Sequence, residues 1–304
     1  MRLGGLVLAL TGWMFVISCS GAGPTEPFMF QMDWTHEAEF AGLYTAQNQG
    51  FFRDAGLSVT LTEGPAGTDV PGILASGQAD AAQMGMTMYL NAASRDPDLI
   101  AIMALLQTSE RVLLTKEDRH AKRPRDLEGM RIGIKSSSWS ALIRKILIND
   151  GADPKKITEI PVHGEEIDRF YRGEVDVWTG FATAEPVKAQ LAGYQVNLLF
   201  ADDFGAGGYD ELIVVKRSAL DENKDKYRKF LEAVVRGWGW SSDHEPETVS
   251  ELDRRQPGET HEFHLLAWKA LRPLVVTGRV PIGWIENARW PAGVPYTADL
   301  LDRP

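Results

Sequence analysis

The sequence contains a single cysteine, Cys19, among 304 residues. A disulfide framework is therefore excluded, and stability must come from the burial of a hydrophobic core. Basic residues are outnumbered by acidic ones, and the formal net charge is −10. Because nucleic-acid-binding proteins carry a basic face, this balance argues against a nucleic-acid partner. The overall charge does not determine the charge of a local ligand pocket.

The sequence also lacks the motifs of common catalytic sites. It has no Gly-x-Ser-x-Gly turn, no phosphate loop ending in Gly-Lys-Ser/Thr and no His-Glu-x-x-His helix. His261 and His264 could share one helix face and bind a metal ion. No third ligand follows at an evident spacing, so solvated polar side chains are the favoured interpretation. We therefore expect no enzymatic activity, no cofactor and no metal.

A long apolar run occurs only at the beginning of the chain. After Arg2 the sequence is apolar from Leu3 to Ile17 and then reaches Ser18 and Cys19. This pattern is typical of a secretory signal and is shorter than the ~20 residues that span a bilayer. Residues 16–19 resemble a bacterial lipobox, whose cysteine is lipidated, although an incidental thiol is the alternative. The hypothesis is a signal peptide over 1–18, a lipidated Cys19, a tether over 19–27, and an exported protein anchored on the extracytoplasmic side of a membrane.

From Phe28 onward, short apolar runs alternate with helical periodicity, which indicates βαβ units and an α/β fold. Phe28–Met32 is predicted as a strand and Glu39–Asp54 as a helix. Residues 74–80 and 170–176 share one pattern, in which a helix ends at a glycine and a strand begins after an aspartate. This echo predicts two similar lobes, residues 28–110 and 111–203. Residues 204–304 are predicted to return to the first lobe and to end in helices, so that two crossovers, near 109–125 and 202–210, join the lobes.

Several short motifs occur along about residues 28–290. They are Met32-Asp33-Trp34, Glu39-Phe40-Ala41-Gly42, Gly50-Phe51-Phe52, Gly77-Gln78-Ala79-Asp80, Asp126-Leu127-Glu128-Gly129, Gly173-Glu174-Val175-Asp176 and Ala184-Glu185-Pro186. In this order they resemble the SsuA-like and thiamine-pyrimidine-synthase-like family of substrate-binding proteins of ABC transporters, which have a type II periplasmic-binding fold. The resemblance implies a clamp that captures a small molecule.

Ligands of open α/β sheets bind beyond the carboxyl ends of the strands, and this rule nominates the candidate ligand-binding residues. Each has a structural alternative, because aromatic side chains at helical spacing often belong to the core and polar ones often cap helices. The aromatic candidates are Trp34, Phe40, Tyr44 and Trp178. The hydrogen-bonding candidates are Asp33, Thr68, Gln107, Ser137, Ser138, Glu185, Asp203 and Tyr209.

The favoured ligand is a planar, amine-bearing heterocycle such as a thiamine-precursor pyrimidine. Trp34 would stack on the ring together with Tyr44 or Trp178, while Asp33 or Glu185 accepts hydrogen bonds from ring amino groups. The expected partners are an ABC permease with its ATPase, and the chain is expected to be a monomer. Three alternatives remain. They are capture of a sulfonate or nitrate-type anion, a ligand-sensing module for a receptor, and a pyrimidine synthase like the fungal members of the family.

Overall fold

The computed structural model describes residues 25–286. The proposed signal peptide and Cys19 lie outside this range, as does the chain after Glu286. Within it, no helix is long and apolar enough to cross a membrane. The first strand already begins at Glu26 and pairs with Leu57, so regular structure starts inside the segment predicted as a tether.

Ten strands form two five-stranded sheets with the same spatial plan. The first sheet has the order β2-β1-β3-β10-β4 and the second has the order β7-β6-β8-β5-β9. In each sheet three strands run parallel, while the strand that enters from the other lobe pairs antiparallel with both of its neighbours. The strands are β1 (Glu26–Gln31), β2 (Leu57–Thr62), β3 (Ala81–Met84), β4 (Leu99–Leu106), β5 (Arg111–Lys116), β6 (Arg131–Ile134), β7 (Thr158–Pro161), β8 (Val177–Phe181), β9 (Val196–Phe200) and β10 (Asp210–Lys216).

Eleven α-helices of the described chain cover the sheets. They are α1 (Ala41–Asn48), α2 (Phe51–Asp54), α3 (Val70–Ala75), α4 (Met86–Arg95), α5 (Ser137–Asn149), α6 (Asp168–Tyr171), α7 (Glu185–Leu191), α8 (Arg217–Glu222), α9 (Lys224–Asp243), α10 (Glu245–Arg255) and α11 (His261–Val275). The last three pack on the first sheet, where Phe28, Phe30 and Phe52 stack around Phe230 of α9. The two-lobed α/β fold with a helical C-terminal part is thereby confirmed.

The chain passes between the lobes at residues 107–110 and again at residues 201–209. The first passage is shorter than expected, because residues 111–116 form β5, which lies between β8 and β9 in the second sheet. That strand was missed, since its apolar run of three residues is short. A second difference concerns the helix predicted over Glu39–Asp54, which is divided at Gly50. This glycine has a φ of 74°, a left-handed conformation that ends α1 before α2 begins.

Candidate functional site

The carboxyl ends of the strands in the two lobes supply a set of acidic side chains. Asp33 follows β1, Asp210 and Glu211 begin the antiparallel β10 at the same edge, and Glu110 lies in the first passage between lobes. Glu185 begins α7 after β8 in the second lobe. The lobes also touch beyond the passages, because Nζ of Lys188 in α7 lies 3.3 Å from the Glu259 carboxylate before α11.

Asp33 is held from one side only. Its Oδ2 accepts a hydrogen bond from the backbone N–H of Gly85 at 3.2 Å, whereas its Oδ1 is fully buried and has no hydrogen-bond partner among the described residues. Burial raises the pKa of Asp33 to about 6, and the nearby Asp210 carboxylate contributes in the same direction. A buried carboxylate oxygen without a donor calls for a proton or a cation.

Trp34 and Glu37 form the accessible part of the first lobe's edge. The indole Nε1–H of Trp34 donates to Glu37 Oε1 at 3.2 Å, and the Trp34 side chain is 43% exposed. Burial raises the pKa of Glu37 to about 7; Glu185 of the other lobe adds to this rise, and the hydrogen bond from Trp34 opposes it. An exposed aromatic face therefore lies next to a carboxyl group that lacks a basic partner in hydrogen-bonding range among the described residues.

Glu39 and Glu211 complete a compact group with Asp33. One carboxylate oxygen from each of the three residues lies within 4.8 Å of the others. Burial, followed by repulsion within this group, raises the pKa of both glutamates well above the usual value. Glu211 accepts a hydrogen bond from Nε2 of Gln83 at 2.8 Å, and its φ of 48° is left-handed. That conformation costs a non-glycine residue about 1 to 3 kcal/mol, and such strained residues are often found at functional sites.

Asp210 ties the second passage to both lobes. Its Oδ1 accepts from the backbone N–H of Met86 at 3.0 Å, and its Oδ2 accepts from the Ser109 hydroxyl at 3.0 Å. The Arg111 Nε lies 3.8 Å from the same Oδ2, while its guanidinium lies 5.6 Å from the centre of the Trp139 ring. This aspartate is thus a structural acceptor, and Arg111 is positioned beside it at the start of the second lobe.

Glu110 is the acid between the lobes, and its side chain is only 3% exposed. Its Oε2 accepts from the Thr183 hydroxyl at 2.8 Å. Burial raises its pKa to about 8, and the carboxylates of Asp210, Glu37 and Glu185 add to the rise. The carboxyl group therefore holds a proton at neutral pH in the folded protein.

The second lobe treats its predicted acid differently. Glu185 pairs with Lys135, which follows β6, and its Oε2 accepts from the backbone N–H of Phe181 at 2.9 Å. The predicted serines lie at the start of α5, where Ser137 is exposed and the Ser138 hydroxyl lies 2.7 Å from that of Ser136. Because of its pair with Lys135, Glu185 is neutralised within its own lobe.

Three predicted aromatic residues lie in the cores instead of at the cleft surface. Phe40 and Tyr44 have no exposed surface in the first lobe, and Trp178 has none in the second. The Tyr44 hydroxyl is hydrogen-bonded to Nδ1 of His36 at 2.8 Å. The prediction that a ligand stacks between Trp34 and one of these rings is corrected, because only Trp34 offers an accessible face.

Four other predicted residues have local roles. Gln107 donates to the backbone oxygen of Trp284 at 3.0 Å, and the hydroxyl of the buried Tyr209 accepts from the backbone N–H of Glu286 at 2.8 Å. Both residues thereby hold the end of the described chain against the first lobe. The Thr68 hydroxyl donates to the Pro65 carbonyl at 2.7 Å, and Asp203 is exposed. None of these contacts involves the acidic group.

Sequence reasoning missed Glu110, Asp210 and Glu211 as site residues. It selected Asp203 and Tyr209 from the glycine-rich segment, although Asp210 and Glu211 come directly after it. The available signal was the return of the chain to the first lobe. A strand that returns antiparallel brings its beginning, rather than its end, to the edge where the parallel strands end.

Comparisons with known proteins agree with this architecture. A family model described as NMT1/THI5 like matches residues 37–248. The formylaminopyrimidine-binding protein of Halalkalibacterium halodurans is 22% identical over 81% of this chain and 77% of its own length. A putative thiamine biosynthesis protein of Haemophilus influenzae is 25% identical over 82% and 80% of the two chains. A 4-amino-5-hydroxymethyl-2-methylpyrimidine phosphate synthase of Aspergillus parasiticus is 25% identical over 70% and 66%.

Solved structures extend the comparison to the fold. The periplasmic aliphatic sulphonate binding protein SsuA of Escherichia coli superposes with a TM-score of 0.70 at 18% identity, over 90% of this chain and 86% of that chain. The alkanesulfonate-binding protein SsuA of Xanthomonas axonopodis, bound to MOPS, gives a TM-score of 0.63 at 18% identity, over 92% and 93%. The fold is therefore that of the two-lobed periplasmic binding proteins, and, since the family model covers most of its length, the chain belongs to the NMT1/THI5-like family.

Proposed function

We propose that the protein is the exported, lipid-anchored binding component of an ABC importer and that its lobes close on a planar, amine-bearing heterocycle of the thiamine-precursor pyrimidine type. The observation that carries this proposal is the excess of carboxyl groups at the cleft. Asp33, Glu37, Glu39, Glu110 and Glu211 all have raised pKa values, and no basic side chain of the described residues forms an ion pair with them.

Amino groups on a heterocycle donate hydrogen bonds, and a carboxylate accepts them. Each such bond to a charged group contributes about 1.5 to 3 kcal/mol, and more where the acceptor would otherwise be unsatisfied. Stacking of the ring on the exposed face of Trp34 adds about 0.5 to 1.5 kcal/mol. An acid-rich cleft with one accessible indole therefore favours a flat ring that carries amino groups.

The two lobes contribute different groups to such a ligand. Trp34 and Glu37 belong to the first lobe. Glu110 directly precedes β5, and Thr183 lies between β8 and α7 of the second lobe. A ligand that contacts both sets stabilises the closed arrangement by its differential affinity. About 5.5 kcal/mol of preference converts a mostly open population into a mostly closed one, and a micromolar dissociation constant corresponds to about −8.2 kcal/mol.

The relatives support the ligand class. One is named for binding formylaminopyrimidine and others for synthesis of an aminopyrimidine phosphate. Export and delivery to a permease are proposed from the leader pattern and from the periplasmic binding proteins that share the fold. Replacement of Cys19 by serine should abolish labelling by radioactive palmitate in cells and release the protein from the membrane fraction. Continued labelling of the C19S variant would refute lipidation at this residue.

Anion capture is the second candidate, because three structural neighbours are named for binding sulfonates. The start of α5, with the exposed Ser137, and the guanidinium of Arg111 are the groups that suit an anion. Arg111, however, already lies beside Asp210, whose Oδ2 is 3.8 Å from its Nε. The amine-bearing ligand is therefore favoured.

Pyrimidine synthesis and receptor sensing complete the alternatives. Several relatives are named as synthases, whereas the relative named first is a binding protein and this sequence lacks the common catalytic motifs. We propose binding without turnover. Adjacent permease and ATPase genes would support import, and an adjacent histidine kinase gene would support sensing.

The test is a binding panel on the full-length protein, read by tryptophan fluorescence and by thermal melting. The panel contains 4-amino-5-hydroxymethyl-2-methylpyrimidine, thiamine, riboflavin, taurine, alkanesulfonates and nitrate. We expect saturable binding of the aminopyrimidine, weakened by about tenfold or more in Glu37→Gln and unchanged in the exposed control Glu232→Gln. Binding of anions alone would refute the proposed ligand class while leaving import open.

A further inference from the structure

The group formed by Asp33, Glu39 and Glu211 supplies more carboxyl groups than the stacking and hydrogen bonding assigned to Trp34 and Glu37 require. Its three carboxylate oxygens lie within 4.8 Å of one another and come from three separate parts of the first lobe. Asp33 follows β1, Glu39 lies in the turn before α1, and Glu211 lies in β10. The position of Glu211 is fixed by Gln83 of β3, and that of Asp33 by the Gly85 backbone. The fold therefore builds this arrangement from several directions.

Two buried acceptors without donors provide an independent observation. The Oδ1 atom of Asp33 is fully buried and accepts no hydrogen bond from residues 25–286. Gln83 has no exposed surface, and its Oε1 is likewise buried without a partner in that range. The Nε2 of the same amide group donates to Glu211 at 2.8 Å, so the unpaired oxygen belongs to a side chain that contacts the acidic group. An unpaired acceptor of this kind is costly unless a cation or a donor occupies the space beside it.

The described part of the protein does not place a basic side chain beside these three acids. No Lys or Arg between residues 25 and 286 forms an ion pair with Asp33, Glu39 or Glu211, in contrast to Glu185, which pairs with Lys135. Arg111 is directed to Asp210 instead, with its Nε 3.8 Å from Oδ2. The three acids are thus gathered at the cleft without an internal counter-ion.

We propose that Asp33, Glu39 and Glu211, with the carbonyl oxygen of Gln83, form a binding site for a divalent metal ion of the Mg²⁺, Mn²⁺ or Ca²⁺ class. These hard cations take oxygen ligands at about 2.0 to 2.6 Å, so oxygens on opposite sides of the ion lie about 4 to 5 Å apart. The upper bound of 4.8 Å on the separation of the three carboxylate oxygens is compatible with a shared ion. A purely oxygen donor set also disfavours zinc and copper, which prefer nitrogen and sulfur ligands.

A single ammonium group is the competing occupant. It carries one positive charge against three carboxylates, whereas a divalent ion offsets more of their mutual repulsion. The site goes beyond the proposed function, because aminopyrimidine capture by Trp34 and Glu37 needs no metal. Its position at the same cleft would allow a bound ion to contact the captured ligand.

The test uses Mn²⁺ as the probe with the full-length protein, freed of metal by a chelator. Free Mn²⁺ gives a six-line paramagnetic resonance signal that is lost on binding. We expect uptake of about one ion per chain. Glu39→Gln and Glu211→Gln should each weaken uptake by at least about tenfold. The control Glu232→Gln, which removes an exposed acid from α9, should change it by less than about twofold. Mg²⁺ and Ca²⁺ should compete for the site.

Three results would overturn the proposal: no uptake by the wild-type chain at millimolar Mn²⁺, uptake that the two cluster variants leave unchanged, or mutual displacement of Mn²⁺ and the aminopyrimidine. Mutual displacement would assign the acids to the organic amine. A parallel titration with aminopyrimidine in the presence of chelator separates the two proposals. Aminopyrimidine binding without Mn²⁺ uptake would refute only the metal site, and Mn²⁺ uptake without aminopyrimidine binding would refute only the proposed ligand.

Discussion

The two lobes share a scaffold but differ at the cleft. Asp80 in the first lobe and Asp176 in the second each follow a left-handed glycine by three residues. Each accepts a hydrogen bond from a backbone N–H of the neighbouring parallel strand, Asp80 from Met29 of β1 at 2.7 Å and Asp176 from Arg131 of β6 at 3.0 Å. The same local sequence therefore builds the same junction twice.

The cleft faces show no such repetition. The first lobe gathers acids that have no basic partner among the described residues, Asp33, Glu39 and Glu211, whereas the second neutralises Glu185 with Lys135. Burial raises the pKa values of the first group, and repulsion from neighbouring carboxylates adds to the rise. Scaffold and ligand chemistry are thus encoded separately, the first by a repeated pattern and the second by residues that occur in one lobe only.

The largest expected effect concerns Glu110, between the lobes. Between pH 4.5 and 8 the folded protein keeps a proton on Glu110 that the unfolded chain has lost, so its contribution makes stability fall as pH rises. Glu110→Gln should therefore be more stable than wild type at pH 8, on the order of 2 to 3 kcal/mol, and similar near pH 4.5. Urea unfolding at both pH values tests this. A difference independent of pH would contradict the protonated carboxyl group.

The next prediction compares the equivalent aspartates. Asp176→Ala should lower the free energy of unfolding by about 2 to 3 kcal/mol, because Asp176 is buried and binds both Arg119 and Arg131. Asp80→Ala should cost about 1 to 2 kcal/mol, since Asp80 is more exposed and pairs with Lys226. Denaturant unfolding measures both values, and the reverse order would contradict the account.

Lowering the pH should remove the stabilisation that Asp176 provides. Hydrogen bonds from Arg131 lower the pKa of Asp176, so its stabilisation is present above pH 3.8 and is lost as pH falls through the lower folded value. The gap between wild type and Asp176→Asn should shrink below about pH 3.

A smaller effect is expected at the neutralised acid of the second lobe. Glu185→Gln leaves Lys135, which is 14% exposed, without its charged partner and should cost about 1 to 2 kcal/mol. The double variant Lys135→Met/Glu185→Gln should be destabilised by less than the sum of the single changes. Additivity in melting or urea experiments would show that the two side chains do not act as a pair.

The smallest effect concerns the accessible ring. Trp34→Ala should weaken aminopyrimidine binding by about threefold to tenfold, because stacking contributes only about 0.5 to 1.5 kcal/mol. Trp284 is similarly exposed and provides the matched control. Fluorescence titrations in which Trp284→Ala weakens binding as much as Trp34→Ala would argue against stacking at the cleft.

The alternation of strands and helices and the repeated glycine–aspartate pattern were sufficient to predict the two-lobed fold. They depend on local conformational preferences, which a sequence displays directly. The strand over Arg111–Lys116 escaped prediction because it joins the second sheet only after the chain has crossed from the first lobe. Its partners, β8 and β9, lie more than 60 residues away in the sequence.

The candidate site was only partly predictable. Asp33 and Trp34 directly follow a parallel strand, as the rule that nominated them requires, and their contact with a ligand stays a prediction. Phe40, Tyr44 and Trp178 were misjudged, since the sequence gives aromatic character but not the face on which a ring packs. Glu211 reaches the site only because β10 returns antiparallel to the first lobe, a long-range event that no local pattern records.

The central claim is that the cleft selects an amine-bearing ring over an anion, and calorimetric titration of the full-length protein tests it most directly. The two ligands are 4-amino-5-hydroxymethyl-2-methylpyrimidine and an alkanesulfonate, measured under the same conditions at neutral pH. The account predicts saturable binding of the aminopyrimidine and a sulfonate affinity at least about tenfold weaker. Tighter binding of the sulfonate would contradict the assignment of the acidic cleft to an amine-bearing ligand.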